Sequence, residues 1–71
     1  MNTDQILTMD RFLRLAEVEN LVGLKRSQLY SAAREGTFPR PIKIGGAARW
    51  SLRRIEAWME AQLARAAFAD Q

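Results

Sequence analysis

Two glycines, Gly23 and Gly36, constrain this chain more than any other feature, because each stops a helix and together they fix the length of the segment between them. Glycine enters the left-handed backbone conformation of a helix C-terminus without steric penalty. Before Gly23, Leu15, Val18, Leu21 and Val22 recur at three- and four-residue spacings and predict one apolar helix face, with Glu17, Glu19 and Asn20 turned outward. Between the glycines, Leu29, Ala32 and Ala33 form an apolar side, while Arg26, Ser27, Tyr30, Ser31 and Arg34 lie on or near the outer arc. Helices this short do not persist alone in water, so each must dock its apolar face. Two of them joined at a Gly23–Leu24 corner predict a steep crossing, the helix-turn-helix arrangement.

Length narrows the function classes. With 71 residues the chain makes one small domain, too small to enclose a large cleft. It has no Cys and no His, so neither a disulfide nor a soft-metal site staples it, and no cofactor is expected. No nucleophile with a base and no pocketed carboxylate pair is legible, so enzymatic activity is not expected. No apolar run reaches the ~18 residues that span a bilayer, and Met1 to Gln5 is polar. A cytoplasmic, nucleoid-associated location without a membrane partner is the expectation.

Charge is segregated rather than large. Lys25, Arg26, Arg34, Arg40, Lys43, Arg49, Arg53 and Arg54 share their window with one acid, Glu35. Outside it, Arg11, Arg14 and Arg65 face Asp4, Asp10, Glu17, Glu19, Glu56, Glu60 and Asp70. An ordinary solvated surface intersperses both signs. A half that is almost purely basic fits a polyanion, and double-stranded DNA is the partner expected.

The second helix carries the residues such a partner needs. Lys25, Arg26, Ser27 and Gln28 stand at its start, which in a helix-turn-helix lies nearest the base edges. Gln28 suits adenine and Arg26 suits guanine or a phosphate. Tyr30 is read either as half-buried packing or as a phosphate or sugar contact, Ser31 follows on the same arc, and Arg34 suits a phosphate or plain solvation.

After Gly36, Phe38 is expected to fold back into the core and Pro39 and Pro41 to impose an extended path. Ile42 to Ile44 and Ala47 to Trp50, on either side of Gly45–Gly46, predict a β-hairpin. Its inward residues are read as Ile42, Ile44 and Trp50, leaving Lys43 and Arg49 exposed on a cationic wing, with Arg49 suited to a narrow minor groove. Ser51 is a good N-cap for a last helix whose Leu52, Ile55, Trp58, Met59, Leu63 and Ala66 form an apolar stripe. Arg53 and Arg54 oppose the dipole of its first turn, which points to a phosphate nearby. Phe68 is either a late core contact or a handle for self-association. Upstream, Phe12, Leu13 and Leu15 are consistent with a short extended piece.

The chain resembles the AlpA family of prophage regulatory proteins. Glu17–Val18, Gly23–Leu24, Arg26–Ser27, Leu29–Tyr30, Glu35–Gly36, Phe38, Pro39, Pro41, Ile44–Gly45, Arg49–Trp50, Ile55 and Trp58 carry the resemblance, over about residues 12 to 63. It implies a winged helix akin to MerR DNA-binding domains and phage excisionases, and a sequence-specific regulator encoded on an integrated element. The pattern itself starts the second helix at about Lys25 or Arg26; where this family commonly has serine the chain has Lys25, so the usual N-cap is missing and a start one or two residues later, on Ser27, is the alternative. Gln28 and Ser31 replace the family's common threonine and basic residue, so the target sequence does not carry over. Ala32 and Ala33 are smaller than the usual aliphatics and suggest a lightly packed core.

The expected architecture is mainly α with a small β-hairpin, a winged helix-turn-helix of three helices plus wing. Residues 1–11 are read as a flexible arm, 12–67 as the DNA-binding domain and 68–71 as a tail. Its expected contacts with DNA are Lys25, Arg26, Ser27, Gln28, Tyr30, Ser31, Arg34, Lys43, Arg49 and Arg53. An excisionase-like architectural factor and a small protein-interaction module are the alternatives. A module this small covers about 600 to 1,000 Å² of DNA, so self-association on the duplex, or an integrase or RNA polymerase partner, is expected.

Overall fold

Leu13 pairs with Trp50 across an antiparallel ladder, and both side chains are buried. Around that pair, a computed structural model describes residues 9–69 in six elements. In chain order they are β1 (Phe12–Leu13), α1 (Leu15–Val22), α2 (Arg26–Glu35), β2 (Ile42–Ile44), β3 (Ala47–Ser51) and α3 (Leu52–Ala69). The strands form one antiparallel sheet in the order β1-β3-β2. The fold is a winged helix-turn-helix: three helices against a small sheet, with β1 adding a third strand beside the expected hairpin.

Local rules set the helix ends. Gly23 and Gly36 take φ of 73° and 84°, the left-handed conformation expected of helix stops. At the end of α2 the Thr37 N–H reaches the Ala32 carbonyl at 2.9 Å and the Gly36 N–H reaches Ala33 at 3.2 Å, which closes the helix in a Schellman pattern. The hairpin turn, Gly45–Gly46, has φ of 58° and 83°. Positive φ at both central residues is what a two-residue type I′ turn requires, and its twist matches that of the strands.

One core joins all layers. Leu13, Val18, Leu29, Phe38, Trp50 and Ile55 are buried together, with Leu15, Val22, Leu24, Tyr30, Trp58 and Met59 packed against them. Val18, Leu29 and Ile55 are wholly buried, so one residue from each helix anchors the bundle. The ring of Phe38 meets Trp58 edge-on at 4.9 Å, and the Trp58 Nε1–H donates to the Thr37 carbonyl at 2.8 Å. Phe38 therefore folds back as expected and ties the α2–β2 link to α3. The Trp50 Nε1–H is buried with no hydrogen-bond partner among the described residues.

Several expectations about burial fail, for reasons of strand register or of how far the core covers each helix. Ile42 and Ile44 do not point inward with Trp50; they are 38% and 44% exposed. Ile42 lies opposite Arg49 and Ile44 opposite Ala47, whereas Trp50 shares its face with Ala48 and hence with Lys43. Side chains alternate along a strand, so the register puts the two isoleucines on the outer face. Leu21 is 47% exposed, since the sheet and α2 cover only the Val18–Val22 side of α1. Along α3 the apolar stripe is core only as far as Met59: Leu63 is 65% exposed and Ala66 is exposed as well. That helix continues to Ala69, with Phe68 80% exposed, which rules out a late core contact. Helix α2 starts at Arg26, within the Lys25–Arg26 start read from the pattern and not at the later Ser27.

Most of the arm expected over residues 1–11 lies outside the described residues. Its described end is held. The Leu52 N–H donates to the Arg11 carbonyl at 2.8 Å, and the carboxylate of Asp10 sits on the N-terminus of α3.

Candidate nucleic-acid interface

The start of α2 is capped in an unexpected way. Lys25 stands at the N-cap in extended conformation, and an ammonium has no acceptor to offer the free N–H groups of the first turn. The other half of a capping box replaces it: Gln28 Oε1 accepts the Lys25 backbone N–H at 2.9 Å. In α1 Glu17 does the same for the Arg14 N–H at 3.0 Å, and Glu17 also pairs with Arg11 at 2.7 Å. The serine normally found at the cap is thus dispensable, and the helix starts where the Gln28 side chain folds back.

This geometry leaves Gln28 its amide N–H groups and the second lone pair of Oε1, while fixing the direction from which they can meet a ligand.

Along the outer arc of α2, Lys25, Arg26, Ser27, Gln28, Ser31 and Arg34 are all exposed. The Arg26 guanidinium lies 5.5 Å from the centre of the Tyr30 ring, a cation–π contact. Tyr30 is half-buried, with its ring edge-on to Trp50 at 5.8 Å. A chain of three side chains, Trp50 to Tyr30 to Arg26, thus runs from the core to the surface and limits where Arg26 can point. Among the described residues, no base from Lys25 to Arg54 is paired with a carboxylate; the ion pair found is Arg11–Glu17.

The wing divides its two cations. Lys43 is exposed on the face that carries Trp50, the side on which Tyr30 of α2 packs. Arg49 is half-buried on the other face, opposite Ile42, with one terminal nitrogen bonded to the Ala48 carbonyl at 2.8 Å. The structure therefore brings Lys43 to the α2 side of the sheet and does not bring Arg49 there.

At the head of α3 the place expected for a phosphate beside Arg53 and Arg54 is taken by the chain's own Asp10, which accounts for the two cations there without one. Ser51 Oγ accepts the Arg54 N–H at 3.2 Å, as an N-cap should, and donates its own proton to Asp10 Oδ2 at 2.5 Å. Asp10 Oδ1 accepts the N–H of Arg53 at 3.1 Å and of Arg11 at 2.7 Å. The Ser51 hydroxyl first, then the Arg53 amide, hold the Asp10 carboxyl below its ordinary value of 3.8. The Arg53 side chain remains exposed and lines an open, polar hollow with Asp10, Ser51, Arg54 and Ala57.

Two residues escape a reading of local pattern. Asp10 belongs to no periodic segment, and its partners lie about forty positions away. Arg40, between two prolines, donates its Nε–H to the Ala33 carbonyl at 3.2 Å, at the C-terminus of α2. With Tyr30, Ala33, Arg34 and Pro41 it lines an open hollow of about 400 Å³.

Fold and surface together define a winged helix-turn-helix domain with an uncompensated cationic helix. The chain belongs to the prophage CP4-57 regulatory protein (AlpA) family, whose model matches residues 11–63. It is also similar to the uncharacterized protein ORF88 of Enterobacteria phage P4, at 41% identity over 59 residues, covering 82% of this chain and 67% of that protein. No solved structure matches it. It is therefore a member of a regulatory family of prophages, and among the described residues no helix is long and apolar enough to cross a membrane.

Proposed function

We propose that this protein is a sequence-specific DNA-binding regulator of a prophage or another integrated element, with α2 in the major groove and the wing on the sugar-phosphate backbone. The observation that carries the reading is the outer arc of α2: Lys25, Arg26, Ser27, Gln28, Ser31 and Arg34 are exposed together with no carboxylate paired to them among the described residues. Such a surface holds unpaired donors and positive charge close together, and a polyanion satisfies both. Membership of a prophage regulatory family supports the same reading.

Roles follow from position. Arg26, steered by Tyr30, and the free amide of Gln28 read base edges at the buried end of the groove; Ser27 and Ser31 hydrogen-bond bases or phosphates beside them. Lys25 and Arg34 flank the helix and contact phosphates, with the Tyr30 hydroxyl as a further backbone contact. On the wing Lys43 reaches the backbone, while Arg49, on the opposite face, stiffens the hairpin through its bond to the Ala48 carbonyl. Arg53 approaches a phosphate from the head of α3.

Selection of bound sequences from a random duplex pool, followed by gel shifts across salt, tests this directly. About six phosphate contacts give a log-log salt slope of about −5. Enrichment of one motif with such a slope is the expected result. Absence of a shift at low salt on any duplex defeats the proposal.

A further inference from the structure

We infer that the hollow between the second half of α2 and the segment leading into β2 is a docking place for one backbone phosphate of the duplex and its deoxyribose, with Arg40 as the principal phosphate ligand. This rests on the DNA-binding reading above and assigns to that surface a residue absent from the recognition helix and the wing.

Three observations converge on it. Arg40 donates its Nε–H to the Ala33 carbonyl at 3.2 Å. That bond uses one of five guanidinium donors and fixes the group against the end of α2, leaving both terminal nitrogens free of hydrogen bonds among the described residues. A tethered guanidinium loses less freedom on binding than a mobile one, and its planar fork matches a phosphate. Next, Arg34 lines the same hollow, with no carboxylate among the lining residues. Two like charges lining one hollow raise the positive potential inside it, and an anion entering there is attracted by both. Finally, the remaining walls are Tyr30, Ala33 and Pro41, and they are largely apolar. Capping of α2 by Arg40 explains the first observation alone; it explains neither the second arginine nor the apolar walls. A hydrated free anion has no use for such walls, whereas the carbon face of a deoxyribose packs on them.

The test uses the whole chain and a duplex carrying its selected motif, with single phosphates replaced one at a time by neutral methylphosphonates. Wild-type protein is expected to lose about tenfold in affinity at one particular phosphate, the loss of one charge-assisted contact. Arg40→Ala should lose a similar amount on the unmodified duplex, become indifferent to neutralisation of that same phosphate, and show a salt slope shallower by about one. Arg40→Lys keeps the charge without the fork or the tether and should fall between the two; Arg34→Ala should weaken the response at the same phosphate. Melting curves of each variant show whether it is folded. If wild type binds its motif and Arg40→Ala still responds to every neutralised phosphate as wild type does, the docking place is wrong while the DNA-binding reading survives. If wild type binds no duplex, that reading fails first. Perturbation of the Arg40 Nε–H resonance by millimolar inorganic phosphate as strongly as by duplex overturns the sugar-phosphate assignment in favour of a free anion.

Discussion

The side-chain oxygen of Gln28 accepts the backbone N–H of Lys25 at 2.9 Å, so the residue proposed to read a base also closes the start of α2. On that proposal, stability and recognition meet at one side chain. Gln28→Ala should destabilise the domain by about 0.5–1 kcal/mol, a fall in Tm of about 2–8 °C for a chain this size, and weaken duplex binding as well. Gln28→Glu keeps the acceptor and suits the helix dipole, so its Tm should stay within a degree or two while duplex affinity falls. Equal melting and equal binding losses in both variants would show that the cap plays no separate part.

Asp10 makes a second prediction through pH. Its folded-state pKa is depressed, chiefly by the Ser51 hydroxyl, so it binds its proton less readily when folded than when unfolded. The stability it contributes is therefore present at neutral pH and is lost as the pH falls through the folded value, below 3.8. Asp10→Ala should lower Tm at pH 7, and the gap to wild type should narrow on acidification to about pH 3. A gap that stays constant across that range speaks against an ionised cap.

The wing turn separates backbone strain from steric clash. A Cβ on Gly45 meets nothing within 4 Å, yet φ is 58°. Gly45→Ala should cost about 1 kcal/mol through conformation alone. Gly45→Asn, which gives the Asn-Gly pair favoured in type I′ turns, should be nearly neutral by chemical denaturation. Equal losses for Ala and Asn would rule out the I′ geometry.

The Trp58 Nε1–H bond to the Thr37 carbonyl links α3 to the chain leaving α2. Trp58→Phe retains an aromatic ring against Phe38 but leaves that carbonyl without its donor. A loss of about 1–2 kcal/mol in denaturant midpoint analysis is expected, and no measurable change would mean that water replaces the indole freely.

Position along α3 decides the weight of its apolar residues. Ile55 is fully buried, so Ile55→Ala should remove about 2–5 kcal/mol and leave a domain of this size only marginally folded at 37 °C. Leu63→Ala, at a largely exposed position, should fall within about 0.5 kcal/mol of wild type. A large loss at Leu63 would show that the second half of α3 is covered in solution.

The sequence by itself determined whatever depends on neighbours a few residues apart. Gly23 and Gly36 stop helices because φ is local; Gly45–Gly46 make a hairpin turn for the same reason; and Val18, Leu29 and Ile55 are core because a 3.6-residue period sorts them onto one face. Segregation of the bases between Lys25 and Arg54 is equally plain in one dimension. Tertiary structure decided the rest. Ile42 and Ile44 pair with Arg49 and Ala47 in a register fixed by the two-residue Gly45–Gly46 turn, but which face of the hairpin the core covers is decided by Trp50 seating beside Leu13. Asp10 has no local pattern to announce it and becomes a cap only when β1 places it over Ser51 and Arg53. Arg40 likewise acquires a fixed position only when the proline-bounded link turns back on α2. Conformation is set by short-range sterics and hydrogen bonds, whereas coverage and polar partnership are set by surfaces that meet only after the chain has closed on itself.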